Sequence, residues 1–273
     1  MRHARICDII YEMIKIIASD LDGTLLPPTK IMPADTFPLI EKMHEKGVLF
    51  VPASGRQLPN LKKLFAPALD KIAIIAENGG LVWYGGEIIF ADPTPSADVL
   101  RALDIIRAQK GLYPVVSCAD CAYYEDDYPR FVEILKRSYS SEKRVGNLDE
   151  IAAKESVIKI SVWDDSPAAE HGGVVLPPLI DGLRTLVSGY DWVDVSVLHA
   201  NKGKALCALM ERLGVNKSEC AAFGDHMNDY EMLSASGHPY VTANAYTPLK
   251  KLIGEEIPSN ADFGVITKIK ELI

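Results

Sequence analysis

This sequence lacks a long apolar run, an excess of basic residues and a segment typical of a secretory signal. No uninterrupted hydrophobic stretch approaches the roughly 20 residues that a transmembrane helix needs. The formal net charge is −8, from 37 acidic against 29 basic side chains. This balance argues against a nucleic acid or an anionic membrane as a partner. An anionic substrate would therefore be drawn by a local positive site rather than by the whole molecule.

Cysteine is also scarce, with five residues in a chain of 273. An odd, small number in a chain of this size predicts free thiols in a reducing compartment. Residues 1–12 include basic side chains but no apolar segment of the signal-peptide type. We therefore expect a cytoplasmic protein. Residues 1–12 are predicted to be a mis-called or disordered extension, with Met13 as the natural start.

The length and the 48% hydrophobic content are enough for two domains, each with its own core. Residues 14–76 alternate between buried-strand and helix patterns in the order strand, helix, strand, helix, strand. This order is typical of a doubly wound, mostly parallel, Rossmann-like sheet. The same pattern returns after residue 202, so residues 13–90 and 198–273 are predicted to form one α/β core domain.

Residues 91–197 differ from the rest of the chain, because strand and helix patterns mix there without regular alternation. We predict that they form an inserted α+β cap domain, with hinges near 91–95 and 198–201. Within this segment the pattern favours a helix over Leu179 to Val187 and a loop at His171 to Gly173. The predicted fold class is therefore an α/β core sheet with an inserted α+β cap.

The run Ile14 to Leu26 carries the clearest chemical signal. It begins as an apolar, β-branched strand and ends in Asp20-Leu-Asp22-Gly23-Thr24. Side chains two residues apart in an extended chain point the same way, so both aspartates can project into one cleft. Two such carboxylates repel each other, so their proximity indicates a bound cation, a shared proton or a catalytic role.

Polar groups also follow other predicted strands, and one opens a helix. They are Ser54, Gly55 and Arg56 after the second strand, Lys202 at a helix start, and Asp225, Asn228 and Asp229 after a late strand. Ligands of open α/β sheets bind at the carboxyl ends of the strands, so these groups are expected to face one crevice. They suit phosphoryl transfer, in which a carboxylate accepts the phosphoryl group and Mg²⁺ neutralises the acidic cluster.

These motifs resemble the haloacid dehalogenase superfamily, in particular its Cof-type phosphatases, whose α/β cap lies between the second and third motifs. The likeness extends from about residue 14 to the C-terminus, with the motifs in family order. They are Asp20-x-Asp22-Gly23-Thr24, Ser54-Gly55-Arg56, Lys202-Gly203-Lys204 and Gly224-Asp225-x-x-Asn228-Asp229.

The resemblance implies a role for each matching residue. Asp20 would be the nucleophile and a Mg²⁺ ligand, and Asp22 the general acid/base, with its backbone carbonyl on the metal. Asp225 would be a further metal ligand, and Asp229 would support the metal from outside its immediate ligands. The phosphoryl group would be bound by Ser54, Gly55, Arg56, Lys202 and Asn228.

Some assignments stay open at this point. Lys204 is an alternative to Lys202 as the phosphate-binding lysine, although the family pattern favours the lysine before the glycine. Arg56 either contacts substrate or supports its loop. Cys118 and Cys121 form a lone Cys-x-x-Cys without partners for zinc or redox use, so ordinary cysteines are favoured. His226 is favoured as a solvent-facing residue over a substrate contact.

The favoured function is a Mg²⁺-dependent phosphomonoester hydrolase that acts on a small phosphorylated metabolite, with a sugar phosphate as the leading substrate class. The alternatives are a phosphomutase or specialised sugar-phosphate phosphatase on the same core, and a non-catalytic ligand-binding protein. The last would need a lesion among Asp20, Asp22, Lys202 and Asp225, and none is present. The sequence predicts neither the metabolite nor the oligomeric state.

Overall fold

The computed structural model describes residues 13–273, so the expectations for residues 1–12 lie outside the described residues. The strands are β1 Ile16–Ser19, β2 Leu49–Pro52, β3 Ala73–Ala76, β4 Leu81–Tyr84, β5 Glu87–Ala91, β6 Leu112–Cys118, β7 Ala122–Tyr124, β8 Glu142–Arg144, β9 Val157–Asp164, β10 Leu183–Gly189, β11 Trp192–Val197, β12 Cys220–Gly224, β13 His238–Thr242 and β14 Glu255–Ile257. The α-helices are α1 Thr36–Glu45, α2 Leu58–Leu64, α3 Ser96–Arg107, α4 Pro129–Ser138, α5 Leu148–Lys154, α6 Gly172–Val175, α7 Lys202–Leu213, α8 Tyr230–Ala235, α9 Thr247–Leu252 and α10 Gly264–Leu272. Within residues 13–273, no helix combines the length and apolar character needed to cross a bilayer.

The core is a parallel sheet in the order β14-β13-β12-β1-β2. Two parallel bridges, Phe50 to Ile72 and Ala53 to Ile75, place β3 beside β2. From β3 the chain continues through an antiparallel β4–β5 hairpin. The parallel, doubly wound sheet predicted from the alternation of elements is confirmed.

Strand β1 lies at the centre of this sheet and is buried on both faces, as its unbroken apolar sequence requires. Ile17 packs into a cluster with side chains of α1 and α10, including Met43 and Ile269. Ile16 packs on the other face with side chains of α7 and α8, including Leu206 and Met232. The helices therefore cover both faces, and the polar residues that follow β1 emerge at one edge.

Residues 91–197 contribute a second sheet in the order β10-β11-β9-β6-β7-β8, antiparallel except for the β7–β8 pair. Val99, Leu103 and Leu148, from α3 and α5, pack against one face of it. On the opposite face, α4 contributes Phe131 to a cluster with Trp163. This arrangement confirms the predicted inserted α+β unit. We propose the boundaries 13–90 and 198–273 for the core and 91–197 for the cap.

The predicted helix over Leu179 to Val187 is wrong, because strand β10 begins at Leu183 and pairs antiparallel with β11. The apolar residues of this stretch have spacings that also fit a helix, but Gly182 adopts φ +79° and the partner strand determines the outcome. The loop expected at His171 to Gly173 partly forms the single-turn α6. The short elements β8, α5 and β14 were not predicted either.

Candidate active site

Asp20 stands directly after β1 and continues its pairing, since its N–H donates to the carbonyl of Phe223 in β12 at 3.0 Å. Its side chain is buried, with only 7% of the residue exposed. The chain then turns at Gly23, whose φ is +91°. A Cβ at that position would collide with the carboxylate of Asp225, so the turn needs glycine both for its conformation and for space.

Lys202, the first residue of α7, provides the positive charge beside Asp20. It is fully buried, and its Nζ donates to Asp20 Oδ1 at 2.5 Å and to Asp229 Oδ1 at 2.6 Å. Asn201 caps the helix by accepting from the N–H of Lys204 at 2.8 Å. The rival candidate Lys204 points elsewhere and pairs with Asp92 at 2.7 Å. The geometry therefore favours Lys202 over Lys204 as the lysine of the site.

The turn after β12 brings two further carboxylates to this edge. Asp229 Oδ2 accepts from the backbone N–H groups of Asp225 and His226, at 2.9 and 3.1 Å. Thr24 donates its hydroxyl to Asp225 Oδ1 at 2.7 Å. Oxygen atoms of Asp20, Asp225 and Asp229 all lie within 4.8 Å of one another. We refer to these three residues as the carboxylate cluster.

Burial and mutual repulsion disfavour a negative charge on all three carboxylates of the cluster, because Lys202 is the one lysine that pairs with any of them among residues 13–273. Burial raises the pKa of Asp20 to about 8, and Asp229 and Asp225 add to the effect while Lys202 opposes it. Burial also raises the pKa of Asp225, against the hydrogen bond from Thr24. A hard divalent cation is the group that such oxygen donors suit, because it would neutralise their mutual repulsion. The donor set of the carboxylate cluster therefore fits a metal such as Mg²⁺.

Asp22 lies apart from the carboxylate cluster and forms a bidentate ion pair with Arg56. Arg56 Nε and Nη2 donate to its two carboxylate oxygens at 2.9 and 2.8 Å. The side chain of Asp22 is 42% exposed and lies on the cavity wall. The motif alone is compatible with Arg56 as a substrate contact or as a support of its loop; in the structure its partner is Asp22, the predicted general acid/base.

Ser54, Gly55 and Arg56 form a tight loop after β2, which we call the Ser54–Arg56 loop. The N–H of Ser54 donates to Ile75 O at 3.0 Å, and the Ser54 carbonyl accepts from the N–H of Asn78 at 3.0 Å. Asn78 also accepts, through its side chain, from Nδ2 of Asn228 at 3.2 Å. The loop is therefore anchored to the end of β3, beside the predicted phosphate-binding Asn228.

A cavity of about 810 Å³ joins these groups to the cap sheet. From the core it is lined by Asp20, Asp22, Ser54, Gly55, Arg56, Asn78, Asp225, His226 and Asn228, among others. From the cap, its walls include Tyr139, Lys159, Ser161, Arg184, Trp192 and Asp194. The structure thus places every predicted site residue at one edge of the core sheet, with Lys202 and Asp229 buried behind the cavity wall.

Several residues of this region were not identified from sequence. Thr24 lies inside the first motif, and its hydroxyl beside two aspartates was a usable signal. Lys159 and Asp194 were detectable only as charged residues inside largely apolar strands. His226 is exposed on the cavity wall, with its ring 5.1 Å from that of Tyr246, so its prediction as a solvent-facing residue stays a prediction. The described cysteines, including Cys118 and Cys121, form no disulfide.

Comparison with known proteins now gives the class. The family model for haloacid dehalogenase-like hydrolases matches residues 17–269. The chain therefore belongs to the haloacid dehalogenase-like hydrolase family, which confirms the resemblance inferred from the motifs.

Curated relatives of this chain include phosphatases. An HMP-PP phosphatase of Cronobacter sakazakii is 28% identical, with 87% of each chain covered. The pyridoxal phosphate phosphatase of Escherichia coli is 28% identical, over 86% of this chain and 90% of that protein. A crystal structure from Eubacterium rectale superposes with a TM-score of 0.85 at 26% identity, covering 96% of this chain and all of that one. The predicted enzyme class, a phosphoric monoester hydrolase of the Cof type, is confirmed.

Proposed function

We propose that this protein hydrolyses small phosphate monoesters through an aspartyl-phosphate on Asp20, with Mg²⁺ as cofactor. One observation carries the proposal: Asp20 is held by the buried Lys202 beside two further carboxylates, at the wall of a cavity that the cap closes. A carboxylate in this setting has a cation within reach, a fixed orientation and access to a ligand.

In the first step, an oxygen of Asp20 attacks phosphorus and the bond from phosphorus to the leaving oxygen breaks. Asp22 gives its proton to the leaving alcohol. In the second step, Asp22 takes a proton from water, which attacks phosphorus and releases Asp20 and inorganic phosphate. In the structure both oxygens of Asp22 accept from Arg56, so this ion pair has to open before Asp22 can carry the proton that it gives to the leaving group.

Asp20 and Asp225 are the side chains that would hold Mg²⁺, with the backbone carbonyl of Asp22 as a further proposed ligand. Asp229 would support the ion from outside its immediate ligands, because its oxygens already accept from Lys202 and from two backbone N–H groups. The bound ion would neutralise charge on the phosphoryl oxygens and on the carboxylates. Ser54, Gly55, Arg56, Asn228 and Lys202 are proposed to bind the phosphoryl group through hydroxyl, amide and cationic donors. Lys202 also holds Asp20 in position between the two steps.

We expect chelation of divalent metal to abolish turnover, because the carboxylate cluster then repels the incoming phosphate. Added Mg²⁺ should restore it and should also raise the thermal midpoint of the protein, since the ion binds only the folded cluster. The measurement is phosphate release and thermal unfolding with EDTA, with and without excess Mg²⁺. Asp225→Asn should reduce the Mg²⁺-dependent rise in midpoint. Full turnover in EDTA would contradict the metal-dependent mechanism.

The test of the proposed function is phosphate release from a broad panel of phosphomonoesters with Mg²⁺. We propose a small phosphorylated metabolite as the substrate, because the cavity suits a small molecule and the cap would exclude macromolecules; sugar phosphates are the leading class to test. The relatives add pyridoxal phosphate and HMP-PP to the panel. Turnover that depends strictly on a bisphosphorylated activator would favour the phosphomutase alternative, and no turnover by folded protein would favour the non-catalytic one.

Arg184 is the proposed contact for the leaving group. It lines the cavity from the cap, is half-buried and donates to the carbonyl of Ala200 at 3.1 Å. Among residues 13–273 it has no carboxylate partner, so donors of its guanidinium are available to a ligand.

We expect Arg184→Met to change the ranking of substrates. Esters with an anionic or oxygen-rich leaving group should lose roughly 10- to 100-fold in kcat/KM, the value of one hydrogen bond to a charged group. Simple aryl esters should lose little. Arg137→Met, at an exposed position on α4, is the matched control. A uniform loss across the panel would contradict a leaving-group contact.

A further inference from the structure

A second buried charge cluster lies where the cap meets the core, and the mechanism above does not use it. Lys159 of β9 is 5% exposed and Asp194 of β11 is 6% exposed, and both are cap residues. Lys159 Nζ donates to Asp194 Oδ2 at 2.8 Å, and Ser161 donates to the other oxygen at 2.8 Å. The cap therefore presents a lysine already oriented by its own carboxylate.

Lys159 extends beyond the cap to the core. Its Nζ donates to the carbonyl of Gly55 at 3.1 Å and lies 3.0 Å from Oε2 of Glu77, as an ion-pair contact. Glu77 is 3% exposed, and its 3.0 Å contact with Lys159 Nζ is the one ion pair that its carboxylate makes among the described residues. Lys159 is thus the cation that compensates a buried core carboxylate while it touches the proposed phosphate-binding loop.

Glu77 itself sits in a costly backbone conformation. Glu77 and Asn78 have φ of +53° and +55°, in the left-handed region that side-chain-bearing residues seldom adopt. This turn directs the N–H of Glu77 to Arg56 O at 3.1 Å and the N–H of Asn78 to Ser54 O at 3.0 Å. The same two residues that support the Ser54–Arg56 loop therefore also supply the carboxylate that faces Lys159.

The bonding of Lys159 limits what it can do. An ammonium group has three donors, and three acceptors already surround this one: Asp194, Gly55 and Glu77. Burial disfavours its charge, but Asp194 and Glu77 outweigh burial and raise its pKa, so the group stays charged. A charged lysine with no donor left over is suited to hold protein groups in place and not to bind substrate.

We propose that Lys159 is a positioning residue: from the cap, it fixes the Ser54–Arg56 loop in the geometry that binds the phosphoryl group. The affinity of the loop for phosphate then depends on the cap lying against the core. This dependence is the same for every ester, whatever its leaving alcohol. The influence of the cap extends to Asp22, because Arg56 of the same loop pairs with it. This inference rests on the proposed function only in taking that loop as the phosphate-binding one.

Other contacts keep the cap on the core when Lys159 is changed. Asn60 of α2 donates to Ser138 O at 2.6 Å and accepts from the N–H of Ser140 at 2.6 Å. Gln57 donates to Ser141 O at 3.1 Å. A substitution at Lys159 therefore tests the loop contact without removing every attachment of the cap.

The experiment compares wild type, Lys159→Met and the control Lys143→Met, which removes an exposed lysine from the cap strand β8. We expect Lys159→Met to raise KM by about tenfold or more, by a similar factor for every ester, with the ranking of substrates unchanged. The inhibition constant of inorganic phosphate should rise with it, since phosphate probes the loop without a leaving group. Lys143→Met should change neither quantity.

Lys159→Met leaves two buried carboxylates without a cation, which can prevent folding. The triple variant Lys159→Met, Glu77→Gln, Asp194→Asn removes all three charges together and should fold while still losing the loop contact. An unchanged phosphate constant in either folded variant would overturn the proposal and leave a purely structural role. A changed ranking of esters would overturn it in favour of a leaving-group contact.

If the proposed hydrolase function is wrong, wild type itself has no turnover, and this result is distinct from a loss confined to Lys159→Met. If wild type turns over no ester, binding of inorganic phosphate with Mg²⁺ is measured by calorimetry in the same proteins. Weaker phosphate binding by Lys159→Met would then still support the positioning role, and equal binding would overturn it.

Discussion

Asp20→Asn should lower kcat by at least about 10³-fold on every ester, roughly 4 kcal/mol of transition-state stabilisation. An amide cannot serve as the phosphoryl acceptor, so the loss should not depend on the leaving group. Folding should survive, because Lys202 keeps its ion pair with Asp229 at 2.6 Å and asparagine has nearly the size of aspartate.

The measurement is single-turnover and steady-state phosphate release, with circular dichroism to verify folding. Asp104→Asn, on the exposed side of α3, is the matched control and should keep wild-type activity. In the wild type, a rapid quench with substrate should leave the phosphoryl mass on the peptide that contains Asp20. Substantial turnover by folded Asp20→Asn would rule out Asp20 as the nucleophile.

The second large effect is expected for Asp22→Asn, which removes a proton donor but keeps a side chain of the same shape beside Arg56. Loss of general acid–base catalysis costs about 10²- to 10⁴-fold, so alkyl phosphates should be turned over that much more slowly. An aryl ester such as p-nitrophenyl phosphate has a leaving group that needs no proton. Its phosphoryl group should still reach Asp20, and the aspartyl-phosphate should then accumulate because water is no longer activated.

This prediction has a distinct kinetic signature. Asp22→Asn should release a burst of about one equivalent of nitrophenol per enzyme, followed by slow turnover, whereas wild type should show no such burst. Equal losses for alkyl and aryl esters without a burst would assign Asp22 to orienting Arg56 instead of to proton transfer. Comparison at several leaving-group pKa values separates the two roles.

Sequence pattern was sufficient where a feature is local. The apolar run before Asp20 predicts a buried strand, and the glycine after Asp22 predicts the turn that ends it. Local pattern likewise predicts the Ser54–Arg56 loop after β2 and the helix that begins at Lys202. The helix predicted over Leu179 to Val187 is wrong, because the apolar spacing there fits two structures and only the pairing of β10 with β11 decides between them.

Contacts between distant elements could not be predicted in this way. The motif places Asp229 near the metal site, but only the structure shows that its carboxylate pairs with Lys202 and lies beside Asp20; its support of the metal from outside the immediate ligands remains a proposal. Arg56 was ambiguous until its guanidinium was seen on Asp22. Lys159 had no sequence signal of function, because its partner Gly55 is 104 residues away and contributes a backbone carbonyl.

The sequence by itself determined the chemical groups available to this protein, their order along the chain and the strand ends that carry them. Those properties depend on short-range pattern and on the shared edge at which parallel strands end. Only the tertiary structure decided which charges become partners, which carboxylates converge and how the cap reaches the phosphate-binding loop. Strand order and cap placement set these distances, and both result from packing the whole chain rather than from any one segment.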